Sequence, residues 1–257
     1  MGGDAGLEEA IRAVGGVTEL ARRIGISQPS VSNWSRVPAD RIVAVEAATG
    51  VTRAVLRPDL YADATDAFDD TAVARSQEYA LLAALLAHAP DAQMLKRLAA
   101  IESDGTPLGL AHEGLAGAAA EKDPVAVARE YFDLFIGVGR GELLPYGSYY
   151  LTGFLHERPL ARLRADLVDL GIERIESQCE PEDHAAILCE IMAGLVAGEF
   201  AASVEQQRRF FERHLGPWMA RFFADIESAE VADFYRPVGT IGRLFIEIET
   251  EAFARAE

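Results

Sequence analysis

The chain has 257 residues, half hydrophobic and a quarter charged, with a formal net charge of −17. That leaves room for one large domain or two unequal ones, and excludes a disulfide-stapled miniprotein, a disordered tail and a collagen-like repeat. Only Cys179 and Cys189 are present, the start of the chain lacks a basic n-region, and the longest uncharged apolar stretch, Tyr79–Ala87, is far short of a membrane span. The expectation is a cytoplasmic protein without membrane insertion.

Charge divides the chain unevenly. Residues 1–60 hold seven Arg and seven acidic residues, so the remaining 17 basic and 34 acidic residues carry the whole net charge. Within the first part, Leu20–Pro58 has six Arg against Asp40 and Glu46, a stretch suited to facing phosphate or simply to a solvated surface. The acidic remainder suits a cationic partner rather than nucleic acid.

In chain order, Leu7, Ile11 and Val14 form a helical apolar stripe that stops at Gly15-Gly16. Thr18–Ile24 reads as a second helix ending at Gly25, Ser27 caps a third with Pro29 in its first turn, and Pro38 and Gly50 bracket a fourth over Ala39–Thr49. Residues 61–71, with four Asp, read as an acidic linker or a charged helix lead-in. Helical spacing then recurs over about 72–88, 91–101, 108–119, 124–136, 147–155, 159–170, 183–197, 203–215, 217–227 and 231–254, with no strand-length alternation of Val, Ile and Thr. The fold class is all-α: a small N-terminal domain over 1–60 and a larger helical bundle over 72–257.

In the small domain, Leu20, Ala21, Ile24, Ile26, Val31 and Trp34 can face inward, leaving Gln28, Pro29, Ser32 and Asn33 on one outward stripe. Gln and Asn can pair bidentately with adenine, while Ser27 and Ser30 can reach phosphate or base edges. Thr18–Trp34, followed by Val37–Arg41, Val45-Glu46 and Leu56–Tyr61, resembles the Cro-like, YdaS-type helix-turn-helix over residues 7–61. The resemblance implies DNA binding by a homodimer on a two-fold operator. Gln28, Ser32 and Asn33 are then the readers, with Arg22, Arg23, Arg36 and Arg41 on phosphates; a helix-turn-helix kept only for docking is the alternative.

In the larger part, Glu180-Pro181-Glu182-Asp183-His184 reads as a helix N-terminus in which a carboxylate accepts backbone N–H groups beside a charge-paired histidine. Cys179, His184 and Cys189 have the spacing C-x4-H-x4-C, but on a helix begun by Asp183 the last two point about 140° apart, so no metal site is expected. Gly137-Val138-Gly139-Arg140-Gly141 follows a helical stripe rather than a strand and reads as a turn. Phe210, Phe211, His214, Leu215, Trp218 and Phe222 read as core. His156-Glu157 and Gly147-Ser148 lack the flanking patterns of a zinc-protease helix and a nucleophile elbow. No enzyme is expected and no cofactor is assigned.

Five strings occur in a recognisable order: Glu130–Phe135, Leu144–Ser148, Glu180–His184, His214–Trp218 and Phe234-Tyr235. They resemble the motifs of the TorD/DmsD family of redox-enzyme maturation chaperones over residues 72–254. The resemblance implies a non-enzymatic cytoplasmic chaperone that binds the twin-arginine signal peptide of an apo molybdopterin oxidoreductase, of formate dehydrogenase or dimethyl-sulfoxide-reductase type, before cofactor insertion and export. Carried over residue by residue, the implied client-binding positions are Tyr131, Leu134, Phe135, Pro145, Tyr146, Ser148, Glu180, Pro181, Asp183 and His184. A one-component transcriptional regulator whose helical domain senses a small ligand is the alternative.

Overall fold

In a computed structural model of the chain, the structure describes residues 4–173, 180–200 and 202–255. They divide into two units, 1–72 and 73–257. Among the described residues every regular element is a helix.

The first unit starts with α1 (Ala5–Val14), whose Asp4 side chain accepts from the Gly6 and Leu7 amides, and continues with α2 (Val17–Ile24) and α3 (Gln28–Ser32). Gly15 and Gly25 end α1 and α2 in the left-handed conformation, where only glycine avoids a steric penalty. A short 3-10 turn over Ala39–Arg41 leads into α4 (Ile42–Thr49), and α5 (Arg53–Leu56) follows. Leu20, Ala21 and Val31 are buried, and Ile24, Ile26 and Trp34 pack against the same core, as the inward set requires.

α6 (Pro58–Ala87) contains residues 61–71, so of the two readings of this stretch the charged helix lead-in agrees with the structure and the linker does not. No Gly or Pro lies between Tyr61 and Ala87 and alanines are interspersed among the aspartates, which leaves nothing to stop the helix.

In the second unit come α7 (Ala92–Leu98), α8 (Pro107–Glu121) and α9 (Pro124–Tyr131), which widens into a π turn over Phe132–Ile136. Gly137 and Gly139 follow with φ of 60° and 88°, the expected turn. Next are α10 (Gly147–Thr152), α11 (Arg158–Asp169), α12 (Ala185–Ala197), α13 (Val204–His214), α14 (Met219–Ser228) and α15 (Tyr235–Arg255). Phe210, Phe211, His214, Leu215, Trp218 and Phe222 are all buried.

α14 and α15 pack closely because Gly239 and Gly242 carry no side chain; a Cβ on Gly242 would stand 2.2 Å from the Phe223 ring. The start of α15 is capped from another element. The Glu130 carboxylate on α9 accepts from the amides of Asp233, Phe234 and Tyr235 at 2.8, 3.0 and 2.8 Å. A carboxylate there also meets the positive end of the helix dipole.

Candidate functional site

Two of the sequence motifs lock together. The Gly147 amide donates to the Asp183 carbonyl at 2.9 Å, the Ala185 amide donates to the Pro145 carbonyl at 2.8 Å, and Tyr146 and His184 face each other as an antiparallel bridge. The Ser148 amide donates to Asp183 Oδ2 at 2.7 Å. His184 itself caps α12, its Nδ1 accepting from the Ala186 amide at 3.1 Å. The sequence reading gave the capping role to Asp183; that carboxylate instead receives an amide from α10, and the helix begins two residues later.

Nor is His184 charge-paired as expected. It is buried, and burial lowers its pKa from 6.5 to about 4 despite Glu180 and Asp183 nearby, so the ring is neutral at pH 7. A neutral ring has a lone pair on Nδ1 for the cap. Tyr146 meets the His184 ring edge-on at 5.1 Å and its hydroxyl donates to Glu180 at 2.5 Å. Burial, reinforced by Glu180, raises the Tyr146 pKa, so this proton stays on the phenol. Buried Cys189 is likewise held as the thiol by burial; Cys179 lies outside the described residues.

Beside this locked pair runs a groove of about 710 Å³. One wall is α6, which presents Ala80, Ala83, Ala84 and Ala87; the other is α12, with Ala186, Ile187, Glu190 and Ala193. Tyr131, Glu180 and His184 also line it, and the Tyr131 hydroxyl donates to the Leu86 and Ala87 carbonyls at 3.1 and 2.9 Å. Burial lifts the Tyr131 pKa to about 12, so it acts as a donor and an aromatic wall.

Three of the ten implied client positions, Tyr131, Glu180 and His184, therefore share one hollow. Tyr146 stands next to it, held to Glu180, and Pro181 accepts the His184 amide at 3.0 Å. Leu134, Pro145, Ser148 and Asp183 are buried, and Phe135 packs its ring among Tyr131, Phe222 and Tyr235. Leu134, Phe135, Pro145, Ser148, Pro181 and Asp183 do not line the hollow. The sequence reading missed its alanine wall, whose signal was the i, i+3, i+4, i+7 spacing of Ala80, Ala83, Ala84 and Ala87.

In the first unit, Ser27, Gln28, Ser30, Ser32 and Asn33 are all exposed on α3 and its ends. Ser27 Oγ caps α3 and lies 2.7 Å from Ser30 Oγ, while Gln28 Nε2 donates to Ser32 Oγ at 2.7 Å. The arginines are largely engaged within the unit. Arg22 and Arg23 both reach Glu19, at 2.6 and 2.9 Å, and Arg36 reaches Asp59 at 3.2 Å; Arg41 is exposed. Hydrogen bonds from Arg22 and Arg23 hold the Glu19 carboxyl down to about 2.

Residues 101–224 match the family described as nitrate reductase delta subunit, and residues 7–65 match the family described as bacterial toxin YdaS. A chaperone protein TorD from Shewanella loihica is 26% identical over 204 residues, covering 70% of this chain and 92% of the relative. The TorD of Vibrio cholerae is 26% identical over 130 residues, 47% of this chain and 59% of its own length. A crystal structure from Archaeoglobus fulgidus, described as that of a putative redox enzyme maturation protein, aligns over 67% of this chain and 93% of that one, with 21% identity and a TM-score of 0.46. The TorD relatives are named as chaperones. Among the described residues no helix is long and apolar enough to cross a membrane. The larger unit is thus similar to the TorD chaperones and to the nitrate reductase delta subunit family, and the smaller one to the YdaS family, with a fold of helix-turn-helix type.

Proposed function

We propose that the larger unit is a cytoplasmic chaperone for an apo molybdopterin oxidoreductase, and that it holds the apolar stretch of the client's twin-arginine signal peptide in the groove between α6 and α12. The observation that carries this reading is the pairing of small apolar walls with Tyr131 and the carboxylates Glu180 and Glu190 in one hollow. Burying about 400 Å² of apolar peptide surface contributes about 10 kcal/mol before ordering costs. An exposed ion pair adds only about 0–1 kcal/mol. The groove therefore supplies the affinity, and the acids orient the peptide and speed its arrival. The fused helix-turn-helix domain would bind the chaperone's own operator as a dimer through Gln28, Ser32 and Asn33, reporting client load if the two ligands are coupled.

Co-purification from the native host tests the reading. A molybdoenzyme precursor is expected with the wild type and lost with Ala84→Trp, which fills the groove from an exposed position. A tightly held metabolite in place of any precursor overturns it in favour of a ligand-sensing regulator, for which 710 Å³ is also adequate room.

A further inference from the structure

A smaller pocket, sharing no lining residue with the groove between α6 and α12, opens among α10, α11 and α13. It encloses about 250 Å³, less than the roughly 300–1,000 Å³ of sites for drug-sized ligands. Its body is apolar: Leu163 and Leu188, each 1% exposed, and the indole of Trp218 line it. Trp218 Nε1 donates to the His214 carbonyl at 2.7 Å, so the indole keeps no polar hydrogen for a guest. Gly147 lines the pocket beside that ring, and a Cβ there would stand 3.1 Å from the indole nitrogen.

Two opposite charges belong to the same lining. Asp183 is 3% exposed; its Oδ2 takes the Ser148 amide, while its Oδ1 has no hydrogen-bond partner among the described residues. A buried carboxylate oxygen without a donor costs about 1–3 kcal/mol or more, which favours a guest that brings one. Arg162, exposed on α11, makes no ion pair among the described residues. Arg213 also lines the pocket but is held by Asp166 at 2.9 Å, as is His214 at 2.6 Å. A guest that answers both free groups carries a donor-bearing cation and an anion on one small apolar body. A simple anion leaves Asp183 unanswered, and the middle of a peptide offers neither terminus.

We propose that this pocket binds a free α-amino acid with an apolar side chain, its ammonium toward Asp183, its carboxylate on Arg162 and its side chain against Leu163, Leu188 and Trp218. The assignment is independent of the chaperone reading above.

Isothermal titration calorimetry on the full chain tests it with L-valine, L-leucine, L-methionine and L-phenylalanine, and for each with the amine lacking the carboxylate and the acid lacking the ammonium. At least one amino acid is expected to bind, with both of its truncated analogues about tenfold weaker. Arg162→Gln, a change at an exposed position, should weaken that amino acid about fivefold at low salt and leave its amine no weaker. If none of the four amino acids binds, the assignment falls. It falls equally if a truncated analogue binds as tightly as its parent, or if Arg162→Gln holds the amino acid as tightly as the wild type does.

Discussion

Ser148 and Asp183 meet inside the larger unit, the serine amide donating to Asp183 Oδ2 at 2.7 Å with the aspartate 3% exposed. This contact joins α10 to the turn before α12, so it holds the wall of the hollow rather than touching what lies in it. Asp183→Ala is expected to cost about 2–3 kcal/mol, the range for losing a buried charge-assisted hydrogen bond. Chemical denaturation measures it. Loss of peptide binding by this variant should accordingly track loss of fold, unlike that of Ala84→Trp.

The neutral cap at His184 gives the fold an acid limit. Its pKa is about 4 folded against 6.5 for the free side chain, so between these values the unfolded chain takes up a proton that the folded protein refuses. Stability is full above pH 6.5 and falls as the pH drops toward 4, by on the order of 3 kcal/mol from this group. His112, whose pKa is raised by its hydrogen bond to Glu78, works in the opposite sense. His184→Asn keeps a capping side chain without the titration, so its denaturation midpoints should vary less than the wild type's between pH 7 and 4.5; equal variation would count against the neutral cap.

Glu249 on α15 is 1% exposed and accepts from Arg75 at 2.7 and 2.8 Å and from the Tyr79 hydroxyl at 2.9 Å. Arg75→Ala leaves that carboxylate buried without its cation and should cost about 3–5 kcal/mol. Arg75→Met combined with Glu249→Leu removes both charges and should cost markedly less, which calorimetry on the two variants checks.

In the small domain, Glu19 holds two of the four arginines expected on phosphate. Glu19→Gln should release Arg22 and Arg23, strengthen non-specific DNA binding and steepen its salt dependence by about one to two phosphate contacts. Gln28→Ala should instead weaken binding to the operator selectively, by about 1–3 kcal/mol. Mobility-shift titrations at several salt concentrations separate the two effects.

Local signals carried most of the architecture into the sequence. Gly15, Gly25 and Gly50 mark helix ends, and Ser27 and Ser203 are caps whose effect is set within three residues. What stayed illegible depends on distant partners. Nothing near Tyr235 predicts that Glu130 caps its helix from 105 positions away, and the Glu180–His184 string alone does not reveal that its aspartate serves Ser148. Of the implied site, Tyr131, Glu180 and His184 converge on one hollow, but its alanine wall is silent in composition because it works by leaving space.

α12 is both a wall of the groove and the most enclosed helix of its unit, with Leu188, Cys189, Met192 and Leu195 shut inside while Glu190 looks out. A guest gripping that wall leans on the keel of the fold, so occupancy and resistance to melting draw on the same free energy. Heat alone, without any label, should then tell the laden protein from the empty one.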